Sequence, residues 1–125
     1  MLSEVRNVQQ LPGEPPRRWF FSHEQDLWVW LNESGELVGF QLAYGKYRNE
    51  HAIRWNQGRG FGHYKVDDGE EGPVGKGIPI LTADGGFNAK RILDQFLEIA
   101  CDIPQDIVAF VAARIREHPG YRKDT

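Results

Sequence analysis

Few residue types in this chain announce a chemistry, and the shortages are informative. A single cysteine, Cys101, rules out an intramolecular disulfide and suits a reducing compartment. It falls in the apolar stretch LEIACDI with no histidine nearby in sequence, which predicts a buried small hydrophobe rather than a reactive thiol. No uncharged apolar run reaches membrane-spanning length, and MLSEVRNVQQLPGEPPRR lacks the continuous apolar core of a signal peptide, so a soluble cytoplasmic protein is expected. Positive charge is in slight deficit, with 15 lysines and arginines against 18 aspartates and glutamates. The formal net charge is −3 and Arg17-Arg18 is a patch of only two charges, so the overall field repels phosphate backbones and nucleic acid is not the expected partner. None of the four histidines is spaced as a metal ligand, and neither metal nor cofactor is expected.

What the chain does have is apolar and aromatic surface. A hydrophobic fraction of 40% and an aromatic fraction of 12% are enough to offset chain entropy, so the middle of the chain folds. Its length suits one domain, expected over residues 17–118. Residues 1–16 end in Leu-Pro-Gly-Glu-Pro-Pro and read as an extended leader from which Val5, Val8 and Leu11 could dock; residues 119–125 read as a tail.

The organising stretch is Asp26 to Tyr44, DLWVWLNESGELVGFQLAY, a β-hairpin turning at Asn32-Glu33-Ser34-Gly35. Pairing Asn32 with Glu36 carries Trp30 opposite Val38 and Trp28 opposite Phe40. One face then holds Trp28, Trp30, Val38, Phe40, Leu42 and Tyr44, and the other Leu27, Val29, Leu31, Leu37, Gly39, Gln41 and Ala43. A preceding strand, RRWFFS, has an open register: a three-residue loop would set Phe20 beside Trp28, and a two- or four-residue loop would set Trp19 and Phe21 there. A second hairpin over His51 to Val66, with Gly58-Arg59 as a two-residue turn, sets Arg54 opposite His63. Ile78 to Leu81 could add an edge strand, although Pro79 interrupts it.

From Asn88 the periodicity becomes helical. Asn88 caps a helix carrying Ile92, Leu93, Phe96, Ile99 and Ala100, and Pro104 opens a second helix that carries Ile107, Val108, Phe110, Val111 and Ile115 and stops near His118. Strands followed by two amphipathic helices predict an α+β fold: an antiparallel meander of five or six strands with both helices packed on its aromatic face.

No catalytic residue can be named. GPVGKG fails as a phosphate loop, because the glycine spacing is wrong and Ile78-Pro79 follows where a helix is required. The nearest thing to a ligand-binding constellation is Arg54 and His63 with Asp67 and Asp68, in which a histidine could work beside a carboxylate while the arginine holds an anion. The same residues also suit the solvent face of a hairpin. The aromatic face resembles a base-stacking surface, but receiving the helices would make it core. That leaves Leu27, Val29, Leu31, Leu37 and Ala43 without cover, which makes them the expected interface.

The run RRWFFSHEQDLWVWL, then GFQLAY, then GFGHYKVDDGE, then two short helices, resembles a family of small uncharacterised bacterial proteins over about residues 17–118. The resemblance implies a bacterial, cytoplasmic protein of unassigned role and carries no activity or residue roles. The expected function is a non-enzymatic module that self-associates, as a homodimer for example, or binds another protein. The alternative is a small-molecule sensor or enzyme built on the polar strand face and the glycine-rich acidic loop.

Overall fold

The computed structural model describes residues 1–46, 50–65 and 88–121. Among these residues six strands form one antiparallel sheet in simple sequence order: β1 (Ser3–Glu4), β2 (Arg17–Phe21), β3 (Gln25–Leu31), β4 (Leu37–Tyr44), β5 (His51–Asn56) and β6 (Gly60–Lys65). Two helices follow, α1 (Ala89–Ile99) and α2 (Gln105–Arg116), so the fold is the expected α+β meander with C-terminal helices.

The sixth strand comes from the leader. Ser3 and Glu4 pair with Phe21 and Phe20, and Leu2 beside them is fully buried in the core. The amide of Leu2 donates to the Ile99 carbonyl at 2.8 Å, which satisfies one of the acceptors that a helix end leaves open. The region 78–81 lies outside the described residues.

Local chemistry explains the tight turns. Ser22 Oγ accepts from the amides of Glu24 and Gln25 and donates to the Gln25 carbonyl at 2.7 Å, closing a two-residue loop of His23 and Glu24. Trp19 therefore pairs with Trp28, the second of the two registers open to the sequence. At the next turn Asn32 Oδ1 accepts from the amides of Ser34 and Glu36, and Gly35 takes a φ of 83°, as the hairpin reading requires.

Beyond that turn the sheet departs from the simple register. Leu31 pairs with Leu37, but Trp30 pairs with Gly39, so Val38 is an extra residue in β4. A β-bulge of one residue moves every later side chain of that strand to the opposite face relative to its partner. Val29 now opposes Phe40, Leu27 opposes Leu42, and Trp28 opposes Gln41. The second hairpin is also offset by one. Its turn runs Asn56 to Arg59 with Gly58 at the third position, φ 87°, so Trp55 opposes Phe61, Ile53 opposes His63 and Arg54 opposes Gly62.

These two shifts decide what is core. The helices cover a face carrying Phe20, Leu27, Val29, Phe40, Leu42 and Ile53, all fully buried. It includes two phenylalanines, yet the tryptophans of β2 and β3 are on the other side. Asn88 caps α1 by accepting from the Arg91 amide at 3.0 Å, and Ile92, Leu93 and Phe96 turn inward as their spacing predicts. From α2, Ile107, Val111 and Ile115 complete the core. Cys101 is exposed, contrary to the expectation of burial. The helix ends at Ile99, so Cys101 falls in the turn, and Ala100 and Ile103 take the buried positions instead.

Candidate interaction face

Alternation along the strands sorts the second face of the sheet into rows. One row reads Trp19, Trp28, Gln41, Arg54 and Gly62 across β2 to β6; the next reads Arg17, Trp30, Gly39, Asn56 and Gly60. Phe21, Asp26, Ala43, Ala52 and Tyr64 form the third. Bulk is concentrated on β2 and β3. Toward β6 the face is low, because Asn56 and Tyr64 occupy the space above Gly39 and Gly62, where an added Cβ would come within 2.7 and 2.6 Å of them.

The aromatic rows are tightly organised. Trp19 and Trp28 stack with centroids 4.9 Å apart and planes 3° from parallel. The Arg17 guanidinium lies 4.9 Å from the Trp28 ring, and that of Arg54 lies 4.8 Å from the Trp30 ring. Such cation–π contacts contribute about 0.5–1 kcal/mol each at exposed sites. Lys46 closes one end, bridging Asp26 at 3.0 Å and donating to the Ser22 carbonyl while lying over Phe21. All three tryptophans are half-buried and Phe21 is 38% exposed, so this face carries apolar surface that the helices do not cover.

Two donors on this face lack acceptors. Trp19 Nε1 and Arg54 Nε are both buried and have no hydrogen-bond partner among the described residues. Buried polar groups are paired in the great majority of cases, so these two donors are exceptions on this face.

The residues singled out by the sequence are redistributed. Leu27 and Val29 lie in the core beneath the helices, Leu31 and Leu37 lie half-buried at its rim, and Ala43 is buried on the tryptophan face. Three of the five are buried, so the set does not form one open surface. Arg54 and His63 lie on opposite faces of the sheet, and Asp67 and Asp68 lie outside the described residues. Arg18 is also separated from Arg17: it pairs with Glu4 at 2.8 Å on the helix side, which holds the Glu4 carboxyl below its usual range. The residues that sequence reasoning missed as a set are Arg17, Trp19, Trp28, Trp30 and Arg54. Gly39 was the available signal, since a glycine inside a strand often marks a bulge.

His63 instead joins a ring cluster on the helix side. It stacks 5.4 Å from His51 and hydrogen-bonds the Tyr44 hydroxyl through Nε2 at 2.5 Å, while His118 meets Phe61 edge-on at 4.9 Å. Burial, reinforced by His51 and His118, pushes the His63 pKa down to about 4, and burial lowers His118 and raises Tyr44. Tyr44 also lines a cleft of about 720 Å³ between the β2–β3 turn and α1, with His23, Glu24, Lys46, Arg91 and Glu98. Neither member of the Tyr44–His63 pair titrates near neutrality, so the pair suits a quiet polar contact better than general acid–base work. Among the described residues no group of histidine, cysteine and carboxylate side chains is arranged to hold a metal.

The cluster makes the fold acid-sensitive. In the unfolded chain His63 titrates near 6.5 and in the folded chain near 4, so the unfolded state binds more protons between those values. Stability is therefore full above pH 6.5, falls as the pH drops toward 4 and levels below it, the whole fall amounting to about 3 kcal/mol for this group. Denaturant melts at pH 7, 5.5 and 4.5 check this, and His63→Gln should flatten the dependence. The lowered pKa of His118 adds a remainder of the same sign.

No helix among the described residues is long and apolar enough to cross a membrane. No family model matches the chain, and neither a curated protein nor a solved structure matches it significantly.

Proposed function

We propose that the protein is a non-enzymatic interaction module whose contact surface is the tryptophan face of the sheet. The observation that carries this is the cluster of Trp19, Trp28, Trp30 and Phe21, with two arginines, on the face turned away from both helices. Tryptophan and arginine dominate the energetics of protein interfaces, and a rigid pre-stacked cluster loses little side-chain entropy on binding. The reading keeps the kind of function expected from sequence and moves it to the other face.

A heterologous partner fits better than a second copy. The tryptophan face presents Arg17 and Arg54, and its one carboxylate among the described residues, Asp26, is already bridged to Lys46. Isologous pairing through this face would set like charges against like, which costs affinity. We read the module as bacterial and cytoplasmic on the strength of the sequence resemblance and the lone Cys101.

Carbene footprinting of the purified protein and of the same protein in a cell lysate tests the proposal. Labelling of Trp19, Trp28 and Trp30 should fall several-fold in the lysate while the outer surfaces of α1 and α2 are unchanged. Equal labelling of the tryptophans in both samples, or protection confined to the helices, would remove the reading.

A further inference from the structure

We infer that the occupant of the tryptophan face is an extended acidic protein segment carrying two carboxylates two residues apart, held by Arg54 and Arg17. This rests on the interaction-face reading and adds the chemistry of the partner.

The argument begins with what the two arginines have left to offer. Arg54 makes no hydrogen bond or ion pair among the described residues, and its Nε is buried without an acceptor. Arg17 spends Nε on the Gln9 carbonyl at 3.0 Å and leaves its terminal nitrogens unbonded among the described residues. Each guanidinium lies over an indole, 4.9 Å from the Trp28 ring for Arg17 and 4.8 Å from the Trp30 ring for Arg54, and its terminal nitrogens are unbonded among the described residues. A pair of guanidinium nitrogens left unbonded is a fork for a carboxylate, which accepts two parallel hydrogen bonds from it.

Spacing sets the pattern. The rings beneath the two guanidiniums belong to Trp28 and Trp30, two residues apart on β3 and so roughly 7 Å apart along the strand. Side chains at i and i+2 of an extended peptide share a face and repeat at that same interval. Trp19 lies in the same cross-strand row as Arg54, so a segment held by Arg54 would run beside its indole. The exposed edges of aromatic rings are the positive end of their quadrupole, which favours anionic oxygen there.

The same donors would accept phosphate, which brings single-stranded nucleic acid into question. Base recognition by such proteins depends on open aromatic faces. Here Trp28 is stacked on Trp19 and capped by Arg17, and Trp30 is capped by Arg54. With those faces occupied less aromatic surface is free for stacking, and carboxylates are the better match.

The test titrates the full chain with three probes: a twelve-residue peptide of alternating glutamate and threonine, the same peptide with glutamine for glutamate, and oligothymidylate of equal length. Binding is read from tryptophan fluorescence and from the indole N–H resonance of Trp19, identified by its loss in Trp19→Phe. The glutamate peptide should bind and shift that resonance, and the glutamine peptide should bind at least tenfold more weakly. Arg54→Gln and Arg17→Gln should each cost tenfold or more, with Arg54→Lys between Arg54→Gln and the parent; circular dichroism confirms that each variant is folded. Glutamate-peptide binding that survives Arg54→Gln and Arg17→Gln overturns the inference, as does binding of oligothymidylate alone or of no probe. In those cases protection of the tryptophans in lysate keeps the interaction face and rejects only the acidic partner, whereas loss of that protection rejects both.

Discussion

Phe40→Ala is expected to cost about 3–5 kcal/mol, the range for removing a fully buried phenylalanine. Phe40 has no exposed surface, opposes Val29 on β3 and Trp55 on β5, and meets Phe110 of α2 edge-on at 6.4 Å. It therefore joins three strands to the helical layer at one point. Since domains of this size have net stabilities of about 5–15 kcal/mol, the variant should remain folded only marginally. Chemical denaturation should show a large drop in midpoint with little change in slope, because the surface exposed on unfolding is almost the same. A loss under about 1 kcal/mol would mean that Phe40 faces water.

The second large effect separates the two faces of the sheet. Leu27→Lys should abolish folding, because Leu27 is fully buried between Phe20 and Leu42, and its partners across the strands among the described residues are apolar. Burying an unpaired charge costs more than the domain has in reserve. Gln41→Glu is the matched change on the opposite face. Gln41 pairs directly with Arg54, whose guanidinium lacks an acceptor among the described residues, so this variant should fold with a stability within about 1 kcal/mol of the parent. Circular dichroism and thermal melts of the two proteins read both outcomes. Were the sheet assembled in the unbulged register, Leu27 would sit on the face without helices and its lysine variant would be tolerated.

Much of this fold is legible in the sequence because its signals are local. Asn88 and Pro104 mark helix starts through hydrogen bonding and ring geometry confined to a few residues, and both mark them in the structure. Asn32 and Gly35 fix their turn for the same reason. The faces of the sheet were not legible, because they depend on a count. A strand has a period of two, so one extra residue at Val38 and one residue of offset at Gly58 exchange inside for outside without altering composition or turn chemistry. Two composition cues do favour the bulged arrangement. It puts Gln41 with Asp26 and Arg54 on one face, and it pools Leu27, Val29, Phe40 and Leu42 on the other. Leu2 escaped for a different reason: a two-residue strand has no periodicity to detect, and its docking depends on the carbonyl of Ile99 far along the chain.

The consequence for function is an inversion. Read with the unbulged register, the tryptophans are floor for the helices and the aliphatic residues are open. In the folded chain the aliphatic residues form the floor, and Trp19, Trp28 and Trp30 are what the sheet presents with Arg17 and Arg54. The Arg54–His63 pairing disappears by the same logic, leaving His63 in a ring cluster with Tyr44 and His51 and Arg54 as a guanidinium held over Trp30.

Which face Phe40 shares is the most direct test of that inversion. Double-mutant cycles should be run between Phe40 and Phe110 and between Phe40 and Trp28, each residue being replaced by alanine singly and together. The folded arrangement predicts a coupling of about 0.5–1.5 kcal/mol for Phe40 with Phe110 and additivity within about 0.5 kcal/mol for Phe40 with Trp28. Coupling between Phe40 and Trp28, with none between Phe40 and Phe110, would contradict it.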